Sequence, residues 1–287
     1  MDNQGLSTAE LKQRLRTKFR RLRRASLDPG VASARMQRLP LALDELDGFL
    51  AERIGAGARI DAGSAALSAT EAGDGTMAHA NIRTAQRTAA AFVSSPDEPD
   101  TTGLLAWLAA HGWRIITPAM HYAQPLPDGG IPNDTAPTRN GKLLTIEWQC
   151  ITADCPQPDA TQRTLLHTPM HNSAVVARHA DAASDERPVE LLGAEELEKA
   201  TVIFVPAVAV DRNGVRLGHG AGWYDRALRH RTPGSVLIAV VWPWEITDSL
   251  PCDRYDVRMD AALTSQGITC FMPFERNARH LSARSLG

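Results

Sequence analysis

At 287 residues and 43% hydrophobic, the chain is long enough for one large domain or two small ones with a real core. A net charge of −2 gives no whole-protein field for recruiting nucleic acid or an anionic membrane, and no apolar run approaches the length of a membrane span. Cys150, Cys155, Cys252 and Cys270 lie at no metal spacing and read as reduced thiols. With no basic region and apolar core at Met1–Ser7, a cytoplasmic protein is expected.

The spacing predicts a first helix over residues 8–24. Ser7 or Thr8 caps it, with Glu10 in the first turn. Leu11, Leu15, Phe19 and Leu22 form an apolar stripe, flanked by Lys12, Arg14, Arg16, Lys18, Arg20, Arg21, Arg23 and Arg24. Most of these charges read as a solvated face. A second helix is expected from Pro29 to Leu50. Residues 51–82, rich in Ala, Gly, Ser and Thr, read as a linker or loop insertion.

Ala89–Ser94 reads as a short buried strand, Ser94–Thr102 as a turn, Thr102–His111 as a helix and Trp113–Pro118 as a strand. That order is a right-handed βαβ unit. Residues 121–141 read as loop and Leu143–Cys150 as a hairpin strand. Residues 152–188 form a polar, Pro-rich loop whose His167, His171 and His179 lack ligand spacing. Glu190–Glu198 reads as helix. Thr201–Val210, Val236–Val241 and Ala261–Thr264 read as buried strands, and Arg279–Gly287 as a frayed tail. Alternating elements of this kind make an α/β protein with a mostly parallel sheet, whose ligands collect at the carboxyl ends of the strands.

One such end carries the most informative segment. After Pro206 and the polar turn Asp211–Gly214 come Gly218, Gly220 and Gly222, then a helical segment, Trp223–His230. Alternate glycines let backbone amides converge, and a helix start adds unpaired N–H groups. The segment is neither the P-loop nor the dinucleotide fingerprint. It reads either as a flexible connection or as an anion cradle. Arg216 and His219 suit an anion, and Asp225 suits an accompanying metal. Glu98 follows the end of another strand.

Four blocks of the chain resemble the 5-formyltetrahydrofolate cyclo-ligase family. They are Lys12-Gln-Arg-Leu-Arg16; Phe92–Glu98 with Asp100-Thr101 and Gly112–Pro118; Val205-Pro206 with Asp211–Arg226; and Leu250-Pro251 with Tyr255-Asp256, Met259-Asp260 and Thr264. The resemblance implies a three-layer α/β/α single domain, with a Rossmann-like, CoA-transferase-like sheet and insertions at 51–82, 121–141 and 152–188. It implies ATP, Mg2+ and a reduced folate, 5-formyltetrahydrofolate. The γ-phosphoryl would pass to the formyl oxygen, N10 would attack the resulting imidoyl phosphate, and 5,10-methenyltetrahydrofolate, ADP and phosphate would leave.

On that resemblance, Lys12, Gln13, Arg14, Leu15 and Arg16 contact ATP, as do Arg216, Leu217, Gly218, His219, Gly220, Ala221, Gly222, Trp223 and Tyr224. Val93, Glu98 and the segment His219–Trp223 face the folate. Arg216, His219 and Asp225 serve catalysis, and Asp225 and Asp256 hold the metal. Apart from the resemblance, Glu98 reads as a helix N-terminal acid and Asp256 as a turn residue. The family usually has Arg where this chain has His219, so a steeper pH dependence is expected. A monomer without nucleic-acid or membrane partners is expected. The alternatives are a nucleotide- or RNA-associated relative without catalysis, and an ATP-dependent relative acting on another substrate.

Overall fold

The computed structural model describes residues 6–26, 40–54, 87–123, 134–137, 142–151, 191–254 and 256–271. The expectations for 29–39, 55–82, 152–188 and 279–287 lie outside the described residues.

Eight strands form the main sheet. In chain order its members are β1 (Thr88–Ala90), β2 (Arg114–Ala119), β5 (Glu147–Ile151), β6 (Leu191–Leu192), β7 (Ala200–Pro206), β10 (Val236–Val240), β12 (Ala261–Thr264) and β13 (Gly267–Cys270). Their spatial order is β13-β12-β10-β7-β1-β2-β5-β6. The five central strands, β12-β10-β7-β1-β2, pair in parallel, and both edges are antiparallel. This is the expected mostly parallel α/β sheet.

Both faces of the sheet are buried, as its continuous apolar strands require. On β7, Val202 and Phe204 enter one core while Ile203 and Val205 enter the other. The first core is closed by helix α2 (46–54) and helix α3 (Thr102–Ala110), through Leu46, Leu50, Leu104 and Leu108. The second is closed by Trp148, Leu197 and helix α4 (Trp223–Ala227), through Trp223, Tyr224 and Ala227. Each buried Leu among them contributes about 1.5–3 kcal/mol through burial.

Helix α1 (Thr8–Ser26) begins as expected. The Ser7 N–H and hydroxyl each donate to Glu10 Oε2 at 2.8 Å, and the Glu10 N–H donates to Ser7 Oγ at 3.3 Å, a capping box. Its buried face departs from the expected stripe, however. Leu22 is 39% exposed, and Arg23 is fully buried in its place. Phe19 packs with Val208, Ala209, Val215, Leu217 and Leu250 beneath the helix.

Four other expectations are corrected. Residues 40–45 are not helical, and α2 runs to residue 54, four residues into the expected linker. The run expected as one strand from Thr201 to Val210 breaks after Pro206, which has no N–H to continue a ladder. The chain resumes as β8 (Ala209–Asp211), which pairs with β9 (Arg216–Leu217) and with β11 (Ile246–Thr247) in a small sheet. Within the expected loop 121–141, β3 (Thr135–Pro137) pairs with β4 (Leu143–Thr145). The expected helix at Glu190–Glu198 is instead β6 followed by a 3-10 turn, Ala194–Lys199.

Candidate active site

The cations Lys12, Arg16, Arg20 and Arg23 are spaced four, four and three residues apart, so they share one face of α1. That face lies across loops at the carboxyl ends of the parallel strands. Lys12 Nζ donates to Asp256 Oδ2 at 2.6 Å and Asp253 Oδ2 at 2.9 Å. Arg16 Nε donates to the Gly218 carbonyl at 2.8 Å, and Arg20 Nη2 to the His219 carbonyl at 2.8 Å. Arg23 pairs with Glu245. Burial pulls the Lys12 ammonium down, but Asp256 and Asp253 outweigh it and hold its pKa above the usual lysine value. Leu15 is half-buried against the Phe19 cluster, while Gln13 and Arg14 are exposed.

The polar turn before the glycine loop is built on Asp211, which is 1% exposed. Its Oδ1 accepts the N–H groups of Asn213 and Val215, and its Oδ2 accepts that of Leu250. Gly214 takes φ +76°, and a Cβ there would stand 2.3 Å from the Met259 carbonyl oxygen. Arg216 then turns back under the loop. Its Nη1 donates to the Pro206 carbonyl at 3.1 Å, and its Nη2 pairs with Asp225 Oδ1.

Gly220 and Gly222 take φ +103° and +72°, and α4 follows directly. That helix has five residues before a 3-10 turn, Leu228–His230, too few to serve as an anion site by its dipole. The loop itself is better suited. Its carbonyls at Gly218 and His219 face the arginines of α1. Among the described residues, none of the N–H groups from Gly218 to Gly222 has a hydrogen-bond partner. A run of unpaired amides is the donor set of an anion-binding nest.

Glu98 stands across from this loop, its side chain 9% exposed. Its Oε2 accepts the Ser95 N–H and hydroxyl, each at 2.8 Å. Its Oε1 lies 2.9 Å from His219 Nε2. The ring nitrogen is not aligned for a hydrogen bond, so the contact is an ion pair when the imidazole is protonated. Burial pushes the Glu98 carboxyl up, but His219 and Ser95 outweigh it and hold the pKa below the usual range. The Tyr224 hydroxyl is buried without a hydrogen-bond partner, and burial with the nearby Glu98 charge pushes it up. Val93 is half-buried at the start of the same turn.

A family model described as the 5-formyltetrahydrofolate cyclo-ligase family matches residues 8–265. The chain belongs to that family. A 5-formyltetrahydrofolate cyclo-ligase of Mycolicibacterium smegmatis is 33% identical over 183 residues, which are 64% of this chain and 76% of that protein. One of Escherichia coli K12 is 24% identical over 179 residues, covering 62% and 77%. The Aquifex aeolicus 5,10-methenyltetrahydrofolate synthetase structure superposes over 94% of this chain and 99% of that one, at 18% identity and a TM-score of 0.42.

Within this cyclo-ligase fold, α1, the glycine loop and the turn bearing Glu98 are brought together. Leu217 and Trp223 sit inside the core, 1% and 3% exposed, and the Trp223 indole N–H donates to the Thr145 carbonyl. Among the described residues no three His, Cys, Asp or Glu side chains gather as a metal cluster. Magnesium needs only one or two carboxylates beside phosphate oxygens and water. The Asp225 side chain, 47% exposed and paired through one oxygen, fits that requirement. Asp256 closes a turn, its Oδ2 accepting the Asp253 N–H and Lys12.

Three contributors were not singled out from sequence: Ser95, Arg20 and the Arg23–Glu245 pair. For Arg20 a signal existed, since it lies four residues beyond Arg16. For Ser95 it was the three-residue step to Glu98. The Arg23 partner is 222 positions away and left no local trace.

Proposed function

We propose that this chain converts 5-formyltetrahydrofolate to 5,10-methenyltetrahydrofolate at the expense of ATP, with ADP and phosphate released. The observation that carries the reading is the glycine loop. Its unpaired amides lie between α1 and Glu98, so an anion on the loop would have the cations of α1 on one side and the Glu98 carboxylate on the other.

A formamide carbonyl is a weak electrophile with a poor leaving group. Phosphorylating its oxygen corrects both defects and lets N10 attack the formyl carbon. The protein must hold the two substrates in line and spread the charge of the moving phosphoryl group. In this reading the amides from Gly218 to Gly222 hold the triphosphate, with Lys12 and Arg16 at its edge and Arg216 bracing the loop from beneath. Glu98 receives the N–H groups of the pterin, and Val93 lines its pocket. Asp225, with Asp256 nearby in role, holds Mg2+. That ion would neutralise phosphate charge as the phosphoryl moves.

The same reading makes the chain one cytoplasmic domain that works as a monomer on small substrates, without nucleic acid or membrane. The inward docking of the basic helix supports it, because Lys12, Arg16, Arg20 and Arg23 are engaged inside the fold. No described helix is long and apolar enough to cross a membrane.

The test is direct. Protein is mixed with 5-formyltetrahydrofolate, ATP and Mg2+, and the near-ultraviolet absorbance of the methenyl product is followed. ATP binding without product sinks the reading. Asp225→Asn should retain the fold and lose about a hundredfold or more in turnover.

A further inference from the structure

Arg23 is the only fully buried cation among the described residues. Its Nε donates to Glu245 Oε1 at 2.5 Å, and its Nη2 donates to Glu245 Oε2 at 2.9 Å and to the Ala207 carbonyl at 2.6 Å. Glu245 is fully buried too, and its Oε2 accepts the Trp242 N–H at 3.0 Å. The Trp242 indole N–H in turn donates to the Asp97 carbonyl at 3.1 Å. Asp97 precedes Glu98, and the Ser95 hydroxyl, with one proton to share, lies 2.9 Å from Asp97 Oδ1 and 2.8 Å from Glu98 Oε2. Arg23 Nη1 has no hydrogen-bond partner and lies 4.0 Å from Asp97 Oδ2.

One guanidinium thus joins four segments. They are α1, the Ala207 break after β7, the 3-10 turn Pro243–Glu245 after β10, and the turn after β1. The last three lie at the carboxyl ends of parallel strands, where the ligand site is.

Stability alone is a poor reason for such a pair. A buried ion pair recovers little more than its own desolvation cost, and apolar residues of similar volume often do as well. What an apolar pair cannot do is fix direction. A planar guanidinium with three made hydrogen bonds sets the spacing between its partners. It also stands one helical turn from Arg20, which holds the His219 carbonyl. The two arginines therefore hold the opposite members of the Glu98–His219 pair from one helix.

We propose that Arg23 is a positioning residue for the folate side of the site. Through Glu245 and Trp242 it fixes the Asp97–Glu98 turn against His219, and so sets the affinity for the formylated folate without touching it. This rests on the reading of Glu98 as a folate contact.

The test compares wild type, Arg23→Met/Glu245→Met, Arg23→Lys and Glu98→Gln. For each protein, KM is measured separately for 5-formyltetrahydrofolate and ATP. Equilibrium binding of 5-formyltetrahydrofolate and thermal melting are measured alongside. The double variant should melt near wild type, with the folate KM raised roughly tenfold or more and the ATP KM little changed. Arg23→Lys, which keeps the charge but not the fork, should fall between. If the double variant does not fold, Arg23→Lys decides by the same split. Folate and ATP constants both unchanged, or both moving with the melting temperature, overturn the proposal. Glu98→Gln with an unchanged folate constant overturns this proposal and the site reading together, as does a wild type that binds no 5-formyltetrahydrofolate. A raised constant for Glu98→Gln beside an unchanged one in the Arg23 variants sinks only the role of Arg23.

Discussion

His219 Nε2 lies 2.9 Å from Glu98 Oε1, so the residue that stands where relatives usually carry Arg is paired with the carboxylate proposed to meet the folate. The resemblance implied that this residue would meet both the phosphoryl group and the folate. Its ring lies beside Glu98, while its backbone carbonyl is held by Arg20.

Removing the imidazole should therefore weaken folate binding: His219→Ala should raise the folate KM by about tenfold, equivalent to about 1.4 kcal/mol. His219→Arg should keep the folate KM near that of the wild type, because a guanidinium leaves a cation beside Glu98. Steady-state kinetics of the three proteins check this. A folate KM unchanged in His219→Ala would refute it.

Glu98→Gln should change stability in a pH-dependent way. The folded-state carboxyl lies below its ordinary value of 4.5. Its ionised form therefore contributes stability above that value, and the contribution is lost as pH falls through the depressed folded value. The gap between wild type and variant in urea denaturation should be open at neutral pH and should close in acid.

Lys12→Met should destabilise the fold by about 1.5–3 kcal/mol, since Asp256 and Asp253 lose a charged donor. The folded ammonium is held above its ordinary pKa. Its contribution is thus complete through neutral pH and disappears only as pH rises beyond the lysine range. Chemical denaturation at neutral and strongly alkaline pH separates the two regimes. The ATP KM should rise in the same variant.

Two glycine substitutions should have opposite signs. Gly214→Ala forces a Cβ against the Met259 carbonyl at positive φ and should cost about 2–4 kcal/mol. Gly48→Ala lies in α2, where nothing stands within 4 Å, and should stabilise by about 0.5–1 kcal/mol. Paired denaturation curves measure both.

Local rules carried much of the fold. The capping box at Ser7 and Glu10, the continuous apolar run of Val236–Val240 and the turn held by Asp211 all act over a few residues. So do the glycines, whose positive φ values at Gly220 and Gly222 have a local sequence signature. The exchange of Leu22 for Arg23 on the buried face of α1 did not follow from pattern. Apolar periodicity ranks Leu above Arg, and only a distant Glu245 reverses that order. The break after Pro206 was hidden for a similar reason. Ala207–Val210 remain apolar and buried, but the Val208 N–H donates to Leu217 rather than to the main sheet. Glu98 was marked by resemblance, while its meeting with His219 depends on two strand ends coming together.

The contact between Arg16 and the Gly218 carbonyl spans 202 positions of chain. Closing so long a loop is slow compared with forming helices or adjacent strand pairs. During synthesis the 202 positions between these two residues separate α1 from its docking surface by roughly ten to forty seconds at ordinary elongation rates. Throughout that interval Lys12, Arg16 and Arg20 are without the partners they hold in the folded protein.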